Sequence, residues 1–336
     1  MKKILAFMKK INPHIVIPVL ILISIAGIVF FIAKWAKGVD STYDRDAVED
    51  GYEIEVLDRV YYVYPDDLAG HIPNDTKKVL CFGNSPFSDD RDSEDNLCNL
   101  MAEKTGAEII NLSIPNSFLS MGSPDTIVSD PLDYHTFYWL MCFASLDDNI
   151  VNEMRSNYDN LSRGVSEIGD NVVDYLCDLD LNTVDTIVLM YDATDYLNGR
   201  LKETSDNISN PLTFCGNMLA GIELIQSRYP HIQIIIMSPT YAYAIDENGD
   251  YISSDIIKVE GESLSSYAIT QLNICQLTEV TFIDNIYGTV HADNADMYLT
   301  DNVHLNVKGR KLVAERFSEI FKATWDRYYD TLDNED

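Results

Sequence analysis

Residues 77–86 read KKVLCFGNSP, and this stretch decides the fold because it joins an apolar strand to a polar tip. Residues 79–83 have the composition of a strand that is buried on both faces of a sheet. Ser85 and Pro86 then form a common helix start, with the serine as cap and the proline at the first helical position. The stretch therefore predicts a buried strand that is followed at once by a helix.

The same alternation of short apolar runs and longer helical patterns continues along the chain. Four further strands are predicted, at residues 108–112, 186–191, 232–237 and 280–284. Helical patterns lie at residues 92–105, 134–146, 160–179, 212–228, 262–277 and 306–327. Asn248 and Gly249 add a hairpin-turn signal after the fourth strand. This order indicates a mainly parallel five-stranded sheet that is covered by helices and binds ligands at the carboxyl ends of its strands.

An uncharged apolar segment precedes this domain, since residues 15–33 read IVIPVLILISIAGIVFFIA. A helix of this length spans about 28 Å, close to the thickness of a bilayer's hydrocarbon core. Lysines precede the segment and acidic residues follow it, so the positive-inside rule predicts a cytoplasmic N-terminus at 1–14 and a signal anchor at 15–36. The remainder is then expected outside the cytoplasm. A cleaved signal peptide is the alternative, but its apolar region spans only about 7 to 15 residues, and AKWA at 33–36 is a poor cleavage site.

The charge of the chain limits its partners. Lys and Arg total 24 against 54 Asp and Glu, which gives a net charge of −30. Residues 1–39 carry six Lys and no acidic residue, so the rest of the chain is more acidic still. Such a surface repels phosphate backbones and anionic lipid headgroups. We therefore expect no nucleic-acid partner, and membrane attachment only through the single N-terminal helix.

The cysteines show no metal-ligand or redox spacing. No C-x-x-C pair occurs, and several cysteines lie in apolar runs, so we interpret them as small buried hydrophobic residues. They are Cys81, Cys98, Cys142, Cys177, Cys215 and Cys275. Their pairing as disulfides stays open, and neither a zinc site nor another cofactor is expected.

A second polar motif lies near the end of the chain. Residues 298–309 read YLTDNVHLNVKG, with Asp301 and His304 three positions apart just before the last predicted helix. At this spacing on a turn, the carboxylate can accept a hydrogen bond from one ring nitrogen and leave the other free to take a serine proton. Ser85 is the candidate serine. Each motif alone also has a structural explanation, as a helix cap or a surface pair. Four other histidines lack such a context and are interpreted as structural or exposed: His71, His135, His231 and His291.

Together the two motifs resemble the SGNH/GDSL hydrolase superfamily, in order and spacing, over roughly residues 77–326. The resemblance implies a flavodoxin-like α/β/α sandwich at 77–330. A polar linker with short strands would occupy residues 37–76, between this domain and the membrane anchor.

The resemblance also assigns roles to residues. It implies Ser85 as the nucleophile, in G-N-S in place of G-D-S, with His304 as the general base and Asp301 as the acid that orients it. The backbone N–H groups of Ser85 and Asn116, together with Thr194, would form the oxyanion hole. Asn116 stands where the second family motif has glycine, and it tolerates left-handed backbone conformations. Thr194 stands where the third motif, here DATD, has asparagine.

The third motif departs from the family in a further way, because Asp192 occupies the position of its glycine. A carboxylate close to a developing oxyanion opposes catalysis unless it is protonated or turned away. We therefore interpret Asp192 as a contact to a substrate hydroxyl or to Arg200. The possible substrate contacts are Asn84, Asp192, Asp195 and Tyr241.

Three functional hypotheses follow. The first is an extracytoplasmic serine esterase that acts on O-acyl groups, chiefly O-acetyl, of cell-surface or cell-wall glycans. The second is an acyltransferase partner of a multi-span, membrane-bound O-acyltransferase that modifies envelope polysaccharide or teichoic acid. The third is a catalytically weakened glycan-binding or scaffold module, because the loss of one oxyanion donor costs about 10²- to 10³-fold in turnover.

Overall fold

The carboxyl ends of five parallel strands form the sheet edge at which the predicted site residues lie. The computed structural model describes residues 56–62, 71–204 and 207–333. The strands of this sheet are β1 (Lys78–Gly83), β2 (Glu108–Asn111), β3 (Thr186–Met190), β4 (Gln233–Met237) and, after a separate hairpin, β7 (Thr281–Ile283). Their order is β2-β1-β3-β4-β7, with every pair parallel, which confirms the predicted sheet. Since the strand order reverses between β1 and β3, a crevice forms at their carboxyl ends.

Helices cover both faces of this sheet, because the central strands β1, β3 and β4 are buried almost throughout. The helices are α1 (Ser85–Ser88), α2 (Leu97–Thr105), α3 (Phe137–Ser145), α4 (Asp148–Leu161), α5 (Glu167–Cys177), α6 (Thr194–Leu197), α7 (Phe214–Arg228), α8 (Leu264–Thr278), α9 (Asn285–Gly288), α10 (Ala295–Tyr298) and α11 (Val307–Asp333). In one group α2 packs against α11, and in another α3 packs against α7, which also contacts α8. The predicted α/β order is therefore confirmed.

Two of the predicted helices differ from the structure because of local capping. Helix α2 begins at Leu97, later than predicted, because the side chain of Asn96 accepts a hydrogen bond from a backbone N–H of the first turn. The predicted helix at 160–179 is two helices, α4 and α5. Gly164 separates them with φ of +87°, and Ser166 caps the start of α5.

The six cysteines are all free, and five of them are buried. Burial raises the pKa of Cys142 to about 11, which keeps this thiol protonated at neutral pH. The interpretation of the cysteines as small hydrophobic residues is thereby confirmed.

The described segment before β1 forms one isolated β-bridge with the sheet. Arg59 forms an antiparallel bridge with Phe282, with N–O distances of 3.0 and 2.8 Å. We expected short strands in the linker, and within the described residues the structure shows this single bridge there. The predicted cytoplasmic segment 1–14 and membrane anchor 15–36 lie outside the described residues. Within the part of the chain that is described, no helix has both the length and the apolarity needed to cross a bilayer.

A two-stranded hairpin follows β4 and reaches the Asp301–His304 loop. It consists of β5 (Tyr243–Ile245) and β6 (Tyr251–Ser253), with Gly249 at φ of +89° in its turn, as the Asn-Gly signal predicts. The N–H of Tyr243 donates to the carbonyl of Asn302 at 2.7 Å, and the Asn302 amide donates back to the Tyr243 carbonyl at 3.0 Å. The hairpin therefore supports the loop that carries the acid and the histidine.

Candidate active site

Ser85 lies just beyond the tip of β1, as predicted, but it is the first residue of α1, so the helix cap is Asn84 and not Ser85. The chain can leave the strand there because Gly83 has φ of +151°, and a Cβ on it would lie 1.8 Å from the carbonyl oxygen of Met190. Ser85 is only 8% exposed, and its hydroxyl donates a hydrogen bond to Oδ2 of Asp192. The candidate nucleophile thus sits at the crevice of the sheet but is bonded to a carboxylate, not to a histidine.

Asn84 connects the ends of three strands. Its amide donates to Oδ1 of Asp192 at 2.9 Å and to the carbonyl of Ser117 at 3.1 Å. Its own Oδ1 accepts from the backbone N–H of Asp192 at 2.9 Å. These bonds fix the ends of β1 and β3 and the loop after β2 relative to one another. Asn84 is buried and its polar atoms are occupied, so its predicted role as a substrate contact is corrected to a structural one.

Asp301 and His304 form the pair that their spacing predicts. Nδ1 of His304 lies 2.7 Å from Oδ2 of Asp301. The other carboxylate oxygen accepts from the backbone N–H groups of Val303 and His304, at 2.9 and 2.8 Å. With a proton on Nδ1 facing the carboxylate, Nε2 of the neutral ring is an acceptor. Within the described residues Nε2 has no hydrogen-bond partner, and His304 lines an open cleft of about 490 Å³.

Ser85 and His304 do not form a hydrogen bond in this structure, because the hydroxyl of Ser85 is directed to Asp192. The predicted triad is therefore present as two parts, one serine–carboxylate pair and one histidine–carboxylate pair. The two parts interact electrostatically, because the charge of Asp192 acts to raise the pKa of His304.

Neighbouring carboxylates raise the pKa of His304. Burial by itself lowers the pKa of this ring, but the hydrogen bond and charge of Asp301, with the charges of Asp89 and Asp192, prevail and raise it above its usual value. For Asp301, burial favours the neutral acid, yet the hydrogen bonds from Val303 and His304 outweigh it and lower the pKa. The ring therefore sits in a field that favours its protonated form.

The predicted oxyanion donors lie in suitable backbone conformations. Asn116 has φ of +60°, in the left-handed region that its residue type was expected to tolerate. Within the described residues, the backbone N–H groups of Ser85 and Asn116 and the hydroxyl of Thr194 donate no hydrogen bond. The N–H of Thr194 itself donates to Oδ1 of Asp192 at 2.9 Å. Asn84, through Ser117 and Asp192, links the segments that carry these donors.

Two other predicted substrate contacts are structural. Asp195 is buried, and its carboxylate accepts hydrogen bonds from the backbone N–H groups of Leu119 and Ser120, at 2.9 and 3.0 Å. Tyr241 is also buried, and its hydroxyl donates to Ser253 at 2.7 Å. Both predictions are corrected, because neither side chain is accessible and both have internal partners.

The suggested contact between Asp192 and Arg200 is also corrected. The guanidinium group of Arg200 lies over the ring of Phe118, at 4.2 Å from its centroid, and contacts the carbonyl of Met121 at 3.4 Å. Asp192 lacks a cationic partner among the described residues.

Sequence reasoning missed Asp89. Its N–H donates to the carbonyl of Ser85 at 3.0 Å at the end of α1, and its side chain lines the cleft with His304 and Arg310. Burial raises the pKa of Asp89, while the charges of His304 and Arg310 act to lower it. The available signal was its spacing of four residues from Ser85, which places both on one face of a helical turn.

Comparisons with known proteins identify the fold. No family model matches the chain, and no curated protein sequence matches it either. One crystal structure without a functional name is similar with a TM-score of 0.50 at 16% identity, covering 74% of this chain and 97% of that one. Est24, a carbohydrate acetylesterase from Sinorhizobium meliloti, gives a TM-score of 0.41 at 14% identity, with 74% and 99% covered. The aryl esterase of M. smegmatis gives 0.42 at 12% identity, with 74% and 100% covered.

The strand order defines a doubly wound, parallel α/β domain, with the candidate serine after β1 and the Asp-x-x-His motif before the last helix. The similarity with a TM-score of 0.50 shows a shared α/β fold over 74% of this chain, and an α/β sandwich is the fold that the resemblance to the SGNH/GDSL superfamily implies. At identities this low, the similarities show a shared architecture, and the chemistry has to be argued from the site itself.

Proposed function

We propose that the protein is a serine-dependent acyl-transfer enzyme that hydrolyses carboxylic esters or moves their acyl group to an acceptor hydroxyl. The observation that carries this proposal is the 2.7 Å contact between His304 and Asp301, which leaves Nε2 of the ring open to the cleft. A histidine held in this way is a general base, and Ser85 is the hydroxyl at the same edge of the sheet.

The reaction starts when the side chain of Ser85 rotates away from Asp192 and toward His304. Its Oγ attacks the ester carbonyl carbon, the O–H proton moves to Nε2 of His304, and the carbonyl oxygen becomes an oxyanion. The N–H groups of Ser85 and Asn116 and the hydroxyl of Thr194 then supply hydrogen bonds to this oxygen. The C–O bond to the leaving alcohol breaks, and the alcohol oxygen takes the proton from His304.

The acyl group is now bound to Ser85 and is released by a second attack. Water or an acceptor hydroxyl gives its proton to Nε2 of His304 and forms a new bond to the carbonyl carbon. The bond between that carbon and Oγ of Ser85 then breaks, and Oγ takes the proton from His304. Hydrolysis and transfer differ only in this acceptor. Asp301 stays ionised throughout and stabilises the protonated ring, consistent with its lowered pKa.

The location and the substrate belong to the same proposal. The apolar segment at 15–36 anchors the protein in the cell membrane with its catalytic domain outside the cytoplasm, so acylated glycans of the cell surface or cell wall are the substrates. A multi-span O-acyltransferase in the same membrane is the expected partner if the reaction is transfer. The argument for this location is the order of lysines, apolar segment and acidic domain along the sequence.

The test compares two serine variants of the full-length protein. Ser85→Ala should abolish ester turnover and labelling by a fluorophosphonate probe, because only an activated serine reacts with it. Ser88→Ala is the matched control, because it removes a hydroxyl from the same helical turn and should retain both. Turnover that survives in Ser85→Ala would show that another group performs the chemistry.

A scaffold or glycan-binding role is the second candidate, and the hydrogen bond from Ser85 to Asp192 favours it. If the hydroxyl of Ser85 stays hydrogen-bonded to Asp192, it does not donate to His304, and the histidine cannot activate it. A folded wild-type protein that resists the fluorophosphonate probe would support this alternative.

A further inference from the structure

Asp192 is a buried carboxylate beside the candidate nucleophile, and it is only 4% exposed. Its Oδ1 accepts from the amide of Asn84 and the N–H of Thr194, each at 2.9 Å, and its Oδ2 accepts from the hydroxyl of Ser85. All three groups are hydrogen-bond donors, so both carboxylate oxygens act as acceptors. Within the described residues no Lys, Arg or His nitrogen lies within 4.0 Å of it.

This arrangement is unfavourable for a neutral acyl group. When Ser85 rotates to His304, Oδ2 of Asp192 loses its hydrogen-bond donor and stays buried. The developing oxyanion then adds a second negative charge close to the first. Both costs disappear if the substrate itself brings a cation to Oδ2.

We infer that Asp192 is a specificity-determining residue that selects esters whose acyl group carries a positively charged nitrogen on the carbon next to the carbonyl. Such a nitrogen is two bonds, about 2.5 Å, from the carbonyl carbon that Oγ of Ser85 attacks. Before Ser85 rotates, its hydroxyl contacts Oδ2, so a nitrogen that takes the position the hydroxyl leaves can reach the same carboxylate oxygen. This inference rests on the proposed function and specifies its acyl group.

The cation does two things at once in this site. It replaces the Ser85 hydroxyl as the donor to Oδ2, which frees the hydroxyl to turn to His304. It also compensates the charge of Asp192 before the oxyanion forms. A substrate of this class therefore activates the nucleophile by binding, whereas an acetyl group leaves Ser85 on Asp192. The nearby carboxylate of Asp89 adds to the attraction, as its coupling to Asp192 indicates.

The experiment uses two esters of the same alcohol on the full-length protein, an alanyl ester and an isobutyryl ester. These acyl groups have the same shape, with an ammonium group in one and a methyl group in the other. The ammonium group withdraws electrons and speeds uncatalysed hydrolysis, so the two kcat/KM values are compared after division by the uncatalysed rates. The wild type should then prefer the alanyl ester by about ten- to a hundredfold, the value of one hydrogen bond to a charged group. A lactyl ester, with a neutral hydroxyl donor at the same position, should fall between them.

Asp192→Asn should bring the ratio of the two kcat/KM values close to the ratio of the uncatalysed rates. The asparagine keeps an oxygen for the Asn84 amide and the Thr194 N–H, so the fold should be retained, as unfolding temperature will report. Asp89→Asn is the matched control, because it removes a nearby carboxylate but should keep most of the preference.

The outcomes separate the inference from the function on which it rests. Equal values for both esters in the wild type after this division, or a preference that persists in Asp192→Asn, would overturn the role of Asp192 while ester hydrolysis by Ser85 stands. Loss of the preference in Asp89→Asn as complete as in Asp192→Asn would overturn it too, since the general acidic field would then be responsible. A wild type that hydrolyses none of the esters and resists the fluorophosphonate probe would overturn the proposed function itself.

Discussion

His304 and His135 carry the same side chain in opposite surroundings. His304 is partly exposed, and contact with Asp301 raises its pKa in spite of burial. His135 is wholly enclosed, and burial lowers its pKa to about 4 although the charge of Asp170 acts in the other direction. A carboxylate in direct contact with the ring therefore outweighs desolvation, and one at a distance does not.

The atoms around His135 show why its ring stays neutral. The hydroxyl of Tyr158 donates to Asp170 at 2.6 Å, so its oxygen is free to accept from Nε2 of His135 at 3.2 Å. Nδ1 of His135 is buried with no hydrogen-bond partner among the described residues. A second proton on the ring would thus create an N–H without an acceptor. His135 therefore packs as a neutral ring in the core beside α3, α4 and α5. His304 is the ring available for proton transfer.

The largest effect should separate His304, the proposed general base, from an ordinary surface histidine. His304→Ala should lower kcat/KM for ester hydrolysis by about 10²- to 10⁴-fold, the usual contribution of a general base. His291→Ala is the control, since His291 is partly exposed, lies near Asp293 and lines no part of the cleft. Equal losses in the two variants, or none in His304→Ala, would remove the distinction between the two histidines.

The second effect concerns the stability that a buried neutral histidine confers. The unfolded chain protonates His135 near pH 6.5, and the folded chain only near pH 4, so the unfolded state binds more protons in between. Stability from this residue is therefore present above pH 6.5 and lost as the pH falls toward 4. Between pH 7 and pH 5 the loss should be about 2 kcal/mol of unfolding free energy.

Urea unfolding of the wild type and of His135→Gln at both pH values measures this loss. The glutamine amide can still donate to Tyr158 but does not titrate, so the variant should lose about 2 kcal/mol less than the wild type over the same interval. Equal pH dependence in both proteins would show that His135 is not the residue responsible.

The sequence predicts the strands and helices that carry this site better than it predicts the side-chain contacts within the site. Buried apolar strands that alternate with helical patterns specify the parallel sheet, and the positions of Ser85 and His304 relative to strands and helices place both motifs at one edge. The hydrogen bond from Ser85 to Asp192 depends on which rotamer a side chain adopts between two strand ends, and no pattern in the sequence records that. Burial of Asp195 depends in the same way on a loop 75 residues away in the chain.

The smallest predicted effect measures how far carboxylates beyond Asp301 influence His304. The base form of His304 is needed for proton transfer, so its raised pKa should place the acidic limb of kcat/KM above pH 6.5. Removing the charge of Asp89 weakens the field that favours the protonated ring, so Asp89→Asn should lower the pKa of His304 and move this limb to lower pH. Asp95→Asn changes the net charge equally, but Asp95 is bonded to Lys311 and does not contribute to the pKa of His304, so it should leave the limb in place.

In about 1 M salt, where charges are screened beyond about 3 Å, Asp89→Asn should lose its effect while the contact with Asp301 still holds the pKa up. A limb that moves equally in both variants would mean that His304 responds to the charge of the whole domain, and the contrast with His135 would then rest on exposure alone.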